Sequence, residues 1–199
     1  MDNIKNGKLI YHLTSIENLD SIIKNGLQPR NSINPNIDIA DSEIIDKRQN
    51  VNDINLLEYV PFHFFINNPF DNAVKKRNKD KNFIYICVRR DIAKEKDFKI
   101  IPVHPISNYI TNFQKVVYNY EEGIDLIDWN TMEKRDYDND YCKKVCSAEC
   151  LYHGVMPIDY IYSIAVKDEN SKNIIDKINN NRYNFYVNIN EKWFFNNYD

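Results

Sequence analysis

The chain has 199 residues, of which 43% are hydrophobic, 13% aromatic and 28% charged, with a formal net charge of −3 and a pI near 5.8. This composition belongs to a globular protein with one sizeable core; it excludes wholesale disorder and a collagen-like chain, and its acidity excludes nucleic-acid binding through overall charge. No apolar run approaches the roughly 18 residues of a membrane span, and the opening MDNIKNGKLIYHL carries Asp2 and lacks a signal-peptide core, so we expect one soluble, cytoplasmic domain over residues 1–199.

The segment Leu9-Ile10-Tyr11-His12-Leu13 predicts a strand whose end delivers His12 and Thr14. The period then changes to 3.6: Ser15 caps a helix that places Ile16, Leu19, Ile22 and Ile23 on one side, and Asn25-Gly26 supplies a left-handed stop. Residues 28–55 are polar and rich in Asn, Asp and Pro, with a short helical turn at residues 44–48. A connection this long inside a compact domain is usually functional. Residues 59–65 read as an aromatic-dense strand, and Pro61, which has no N–H for a ladder, suits an edge or a strand beginning rather than a central position. Residues 83–88 are apolar on both parities, the pattern of a central strand buried on both faces. Short helical stretches and polar loops fill residues 104–141. Strands follow at residues 149–152, 160–166 and 183–189, with a helix carrying Ile174, Ile175 and Ile178 between the last two. Strands and helices interleaved so irregularly predict an α+β fold rather than a regular βαβ array.

Charge is uneven along the chain. Between Lys75 and Lys99 ten basic residues face four acids, so a local basic surface over Lys75 and Lys76 could track a phosphate backbone, although such a run commonly marks only a solvated face. Cys142, Cys146 and Cys150 fall at i, i+4 and i+8, with His153 following, and would share a face on one continuous helix. Structural zinc sites use paired knuckles with a distant second pair, which this chain does not have, so we expect free, packed thiols and no metal.

With four glycines and no G-x-G-x-x-G, P-loop or G-x-S-x-G, nucleotide binding by the usual motifs is excluded. What remains is a set of polar residues on or beside apolar strands: His12, Thr14, His63 and Glu149. A carboxylate in such a setting is costly unless it is paired or working.

These residues recur in a longer ordered set. Ile10-Tyr11-His12-Leu13-Thr14 is followed by Glu17-Asn18-Leu19 and Gly26-Leu27, then by Ile45-Asp46-Lys47-Arg48 and Tyr59-Val60-Pro61-Phe62-His63-Phe64. Ile127-Asp128-Trp129, Ala148-Glu149-Cys150-Leu151 and Glu191-Lys192-Trp193 complete it. In order and spacing, from about residue 9 to 195, the chain resembles the DarT-type DNA ADP-ribosyltransferase toxins.

The resemblance implies an ADP-ribosyltransferase-like fold: a split, mostly antiparallel sheet with short helices around a cleft for NAD. It implies an enzyme that transfers one ADP-ribose from NAD, its co-substrate, to a base of single-stranded DNA, thymine first and guanine second, releasing nicotinamide. The partners implied are single-stranded DNA and a cognate antitoxin that reverses or blocks the modification, with no membrane. Glu149 is implied as the catalytic carboxylate and Arg48 as the residue that orients the NAD phosphates. NAD contacts are implied at His12, Leu13, Thr14, Asn18, Ser21 and Leu27. The stretch from His104 to Glu149 resembles the element that presents the acceptor, and its Tyr109 and Trp129 are expected to stack on unpaired bases. His63, where the family commonly has tyrosine, is expected on the acceptor side.

The chemistry agrees with this division. Breaking the bond between nicotinamide and ribose C1 builds positive charge on the sugar, which a carboxylate stabilises. Arginine, with a free pKa above about 12, suits an electrostatic clamp better than a proton acceptor. Two other readings stay open on the residues alone: the same NAD pocket serving RNA or protein, and a non-catalytic nucleic-acid-binding domain of this fold.

Overall fold

The computed structural model describes residues 3–32 and 42–194. Seven strands form two sheets. The larger has the order β1-β3-β6-β7, built from β1 (Leu9–Ser15), β3 (Phe83–Arg89), β6 (Ile161–Val166) and β7 (Tyr186–Ile189). It is antiparallel except where β7 runs parallel to β6. The smaller has β5 (Glu149–His153) between β2 (Tyr59–Phe62) and β4 (Lys99–Ile101), all antiparallel.

The parity of β3 explains why two layers of core exist. Ile84, Ile86 and Val88 point into the main cluster with Ile10 and Ile164, while Phe83, Tyr85 and Cys87 point to a second cluster with Leu13, Val74 and Ala165. Six of its seven residues are buried, as a strand apolar on both parities requires. β2, with its Pro61, is an edge of the small sheet.

The two sheets meet at a seam. Tyr11 of β1 and His63, one residue past β2, exchange both backbone hydrogen bonds, at 2.9 and 2.8 Å. His12 Nδ1 lies 2.8 Å from the Pro61 carbonyl oxygen, a second tie from β1 to β2.

Helices fill the connections. Ser15 Oγ accepts from Glu17 N, but the chain makes one 3-10 turn (Ile16–Asn18) before α1 (Leu19–Asn25), so the expected single helix begins later than its cap. Gly26 ends α1 at φ 81°, and a Cβ there would lie 2.7 Å from Val155 Cγ1 and 2.9 Å from the Met156 carbonyl oxygen, so only glycine fits without strain. α2 (Ser42–Arg48) is the helical turn expected in the polar stretch. Residues 33–41 of that stretch lie outside the described residues.

Three elements escaped the pattern reading. α3 (Pro69–Arg77) starts with Pro69 in its first turn under an Asn68 cap that accepts from Asp71 N, a start signal that was present but unread. α4 (Arg90–Glu95) follows β3 without a loop, and β4 is three residues long. α5 (Tyr120–Leu126) and α6 (Trp129–Lys134) are short helices expected within residues 104–141, α7 (Asp140–Val145) begins at the end of that stretch and runs past it, and α8 (Glu169–Asn179) is the helix expected after β6. β7 starts at Tyr186 rather than Tyr183, because Asn179 bonds both backbone polar groups of Tyr183 and holds it in a turn.

The cysteine stripe does not lie on one helix. α7 stops at Val145 and Cys150 lies on β5. All four cysteines are buried and free; Cys142 and Cys146 donate to the Thr131 and Met132 carbonyls of α6. Burial alone pushes the Cys150 thiol up well beyond its ordinary range. Among the described residues no group of three or more His, Cys, Asp or Glu side chains could hold a metal ion, and no helix is long and apolar enough to cross a membrane.

Candidate active site

The strand that carries Glu149 is the middle one of the small sheet, with Ile101 paired to Glu149 on one side and Phe62 to Cys150 on the other. The strand is held on both flanks and Glu149 itself by Ile101, so its side chain is presented from a fixed backbone. Arg48 arrives from 101 positions earlier in the chain, on the last residue of α2. Its Nη1 and Nη2 donate to Glu149 Oε1 and Oε2 at 2.7 and 2.8 Å, the two-pronged geometry that guanidinium and carboxylate favour.

The Glu149 side chain is 6% exposed and that of Arg48 13%, so the pair is largely withdrawn from solvent. Burial alone would raise the Glu149 pKa, but the Arg48 charge and its hydrogen bonds outweigh it, with His63 and His104 adding in the same direction, and hold the carboxyl below its ordinary range. Burial likewise disfavours the Arg48 cation, and the Glu149 charge and hydrogen bonds outweigh it, so Arg48 is raised. Both groups are therefore ionised at neutral pH.

Two of the four histidines, His63 and His104, lie in the electrostatic surroundings of this pair, and His12 in turn feels His63. His12 is pushed down to about 4, mainly by burial, against the Pro61 carbonyl and with His63 adding to the fall. Because a carbonyl oxygen only accepts, His12 Nδ1 carries the hydrogen, and the Nε2 lone pair of the neutral ring is available to a hydroxyl. His104 is also pushed down to about 4 by burial, with Glu149 opposing and Lys144, Arg48 and His63 reinforcing. Its Nδ1 accepts from the Ile106 N–H, which places the hydrogen of the neutral ring on Nε2. Pattern reading gave His104 no role, since no motif surrounds it.

Thr14 and Asn18 are both buried, and Asn18 Nδ2 donates to Thr14 Oγ1 at 3.2 Å, which joins the end of β1 to the turn before α1. Leu13 turns its side chain into the second core cluster, away from the His12 face. Ser21 is half-buried on α1 and accepts from Asn25 Nδ2. Leu27 is buried and exchanges both backbone hydrogen bonds with Met156.

The expected nucleic-acid contacts divide. Tyr109 is half-buried and stands edge to face against Tyr141, with ring centroids 5.1 Å apart; Lys76 is exposed on α3. Three expectations need correction. Trp129 is core, 7% exposed, its indole N–H donated to the Ile124 carbonyl and its ring against Phe64 at 5.2 Å. Lys75 is 4% exposed and donates to Asn67 Oδ1, Tyr85 Oη and the Trp193 carbonyl, which uses all three of its protons. His63 is 7% exposed, with Nδ1 3.1 Å from the Ala148 carbonyl oxygen and its ring against Phe70.

The basic run is no single surface, because it is distributed over α3, β3, α4 and β4 and many of its charges are answered locally. Arg89 pairs with Asp91, Lys94 with Glu121, Lys96 with Glu95 and Lys99 with Asp97. Arg90 points inward, its guanidinium bonded to the carbonyls of Lys5, Leu9 and Phe64.

Comparison with known proteins places this geometry among relatives. The family model described as "DarT: ssDNA thymidine ADP-ribosyltransferase, DarT" matches residues 11–195. A Thermus sp. 2.9 DarT structure in complex with ADP-ribosylated ssDNA superposes with a TM-score of 0.79 at 20% identity, over 94% of this chain and 96% of that one. The same organism's DarT in complex with NAD+ gives 0.76 at 19% identity, over 96% and 98%. A Thermosipho africanus DarTG in complex with ADP-ribose gives 0.74 at 25% identity, over 95% of this chain and 51% of that one. No curated protein matches in sequence.

Proposed function

The chain belongs to the DarT family of ssDNA thymidine ADP-ribosyltransferases, and from that premise we propose that Glu149 and Arg48 are the pair through which it transfers ADP-ribose from NAD to a base of single-stranded DNA. It is an NAD-dependent ADP-ribosyltransferase. The observation that carries the residue assignment is the bidentate, largely buried Arg48–Glu149 pair, whose partners converge from 101 residues apart.

The charges divide the labour. The bond from ribose C1 to the nicotinamide nitrogen breaks with its electron pair leaving on nicotinamide, and the sugar acquires positive charge. Glu149, held ionised by Arg48, stabilises that charge. Arg48, raised rather than lowered, keeps its proton and serves as an electrostatic clamp for phosphate oxygens. The residues fit a dinucleotide: His12 offers a neutral Nε2 acceptor to a ribose hydroxyl, and Thr14 and Asn18 form an adjacent buried polar wall. Ser21, Leu13 and Leu27 act through backbone or packing. The acceptor nitrogen bonds to C1 and its proton passes to solvent. Thymine is the first acceptor, in agreement with the family's description.

Tyr109 and Lys76 are the surviving candidates for contacts to the strand. The protein works in the cytoplasm as the toxic half of a toxin–antitoxin pair, opposed by an antitoxin that removes or blocks ADP-ribose.

The test is intact-mass spectrometry of oligonucleotides incubated with NAD and either the wild-type protein or Glu149→Gln. Addition of one ADP-ribosyl unit to thymidine-containing single strands, absent with the variant, is the expected result. Equal modification by both proteins would remove Glu149 from the mechanism, and modification of RNA or protein alone would move the acceptor.

A further inference from the structure

We propose that His63 is a positioning residue for Glu149 and not a contact to the acceptor base; this rests on the reading of Glu149 as the catalytic carboxylate. His63 is anchored twice. Its backbone N–H and carbonyl are both engaged by Tyr11 of β1, which fixes residue 63 to the large sheet. Its ring crosses the seam, with Nδ1 3.1 Å from the carbonyl oxygen of Ala148, the residue immediately before Glu149.

Since that oxygen only accepts, Nδ1 carries the hydrogen. The bond ties residue 63, already fixed to the large sheet, to the residue just before the catalytic strand, beyond the last β2–β5 pair at Phe62 and Cys150. Its loss would leave the Ala148 carbonyl buried without this donor and free Glu149 to shift. A displacement of about 1 Å in a catalytic group can cost on the order of 100-fold in rate.

The ring's other surroundings agree with positioning. One side rests against Phe70 at 5.7 Å between centroids and 31° between planes, and with 7% of the residue exposed no face remains for a base to stack on. The titratable neighbours of His63 are Glu149, His12, His104 and Asp71. Asp71 is itself fixed by the Tyr85 hydroxyl at 2.8 Å and the Asn67 N–H at 2.9 Å. The imidazole thus has a buried carboxylate from α3 and one from β5 among its neighbours.

The two amides distinguish the roles, because the amide nitrogen of asparagine overlies Nδ1 of histidine and that of glutamine overlies Nε2. Steady-state kinetics on a thymidine-containing single strand would be measured for wild type, His63→Ala, His63→Asn and His63→Gln, with Glu149→Gln alongside. The expected result is a kcat for His63→Asn within about threefold of wild type, and losses on the order of 100-fold for Ala and Gln, with KM for the oligonucleotide within about twofold throughout. A rise in oligonucleotide KM at unchanged kcat would make His63 a base contact and overturn the proposal. Asn and Gln falling equally would overturn it too, as a general packing role. If His63→Ala fails to fold in a thermal melt, the Asn and Gln pair still decides. Wild-type activity in Glu149→Gln would remove the premise, a failure distinct from either outcome at His63.

Discussion

Two clusters of buried charge lie on opposite sides of the seam, and they are built differently. On the outer face of the large sheet, Lys75 is surrounded by Tyr85, Asn67 and the Trp193 carbonyl, with the rings of Tyr85 and Phe194 over its ammonium at 4.8 and 5.5 Å, and Asp71 is bonded to Tyr85 and Asn67. Lys75 Nζ and Asp71 Oδ2 have permanent partners there, two of them backbone. At the candidate site, Arg48 and Glu149 satisfy chiefly one another. A buried charge whose partners belong to the framework holds the framework; a buried pair that answers itself can exchange a partner for a ligand. The contrast separates a structural cluster from a working one without reference to residue type.

The comparison breaks most sharply at Glu149. Glu149→Gln keeps the shape, removes the charge and is expected to lower kcat on the order of 1000-fold with little change in melting temperature. Arg48→Lys keeps a charge but loses the two-pronged contact, and a loss on the order of 100-fold is expected, shared between kcat and the KM for NAD. Lys75→Ala is expected to do the reverse. Activity at low temperature stays within about threefold, while stability falls by about 3 kcal/mol because Tyr85 and Asp71 lose a buried donor and its charge. In a chain of this size that is roughly 6–12 °C in melting temperature, readable by calorimetry. An inactive but stable Lys75→Ala protein would erase the distinction between the two clusters.

The smallest effect is on pH dependence. His12 and His104 are neutral in the fold with pKa values pushed to about 4, whereas in the unfolded chain they bind protons near pH 6.5. Between those values the unfolded state takes up protons that the folded state does not, so stability is full above about pH 6.5 and is lost as pH falls toward 4. Melts at about pH 7 and pH 5 should differ, and His104→Gln should narrow the gap. An unchanged gap would place the acid sensitivity elsewhere.

How much of this was legible in the sequence depended on whether the signal was local. β3 was readable because both parities are apolar, the edge position of β2 because Pro61 lacks an N–H, and the end of α1 because Asn25 precedes Gly26. Charge was legible only as a list. The basic run gave Lys75 the same weight as Lys76, and burial separates the two neighbours completely. His104 was invisible because its importance lies in which groups surround it. Glu149 was legible as a carboxylate on an apolar strand, but Arg48 and the link between the two entered through family resemblance; no periodicity links residues 101 positions apart.

That separation has a consequence for how the protein is made. Translation proceeds from the amino terminus at about 5–20 residues per second, so Arg48 leaves the ribosome well before Glu149 exists. The carboxylate strand, moreover, is the middle of a sheet whose other two members are already synthesised by then. A nascent chain that stops before Glu149 therefore has no reactive centre, and chemistry switches on only once β5 has been threaded between β2 and β4.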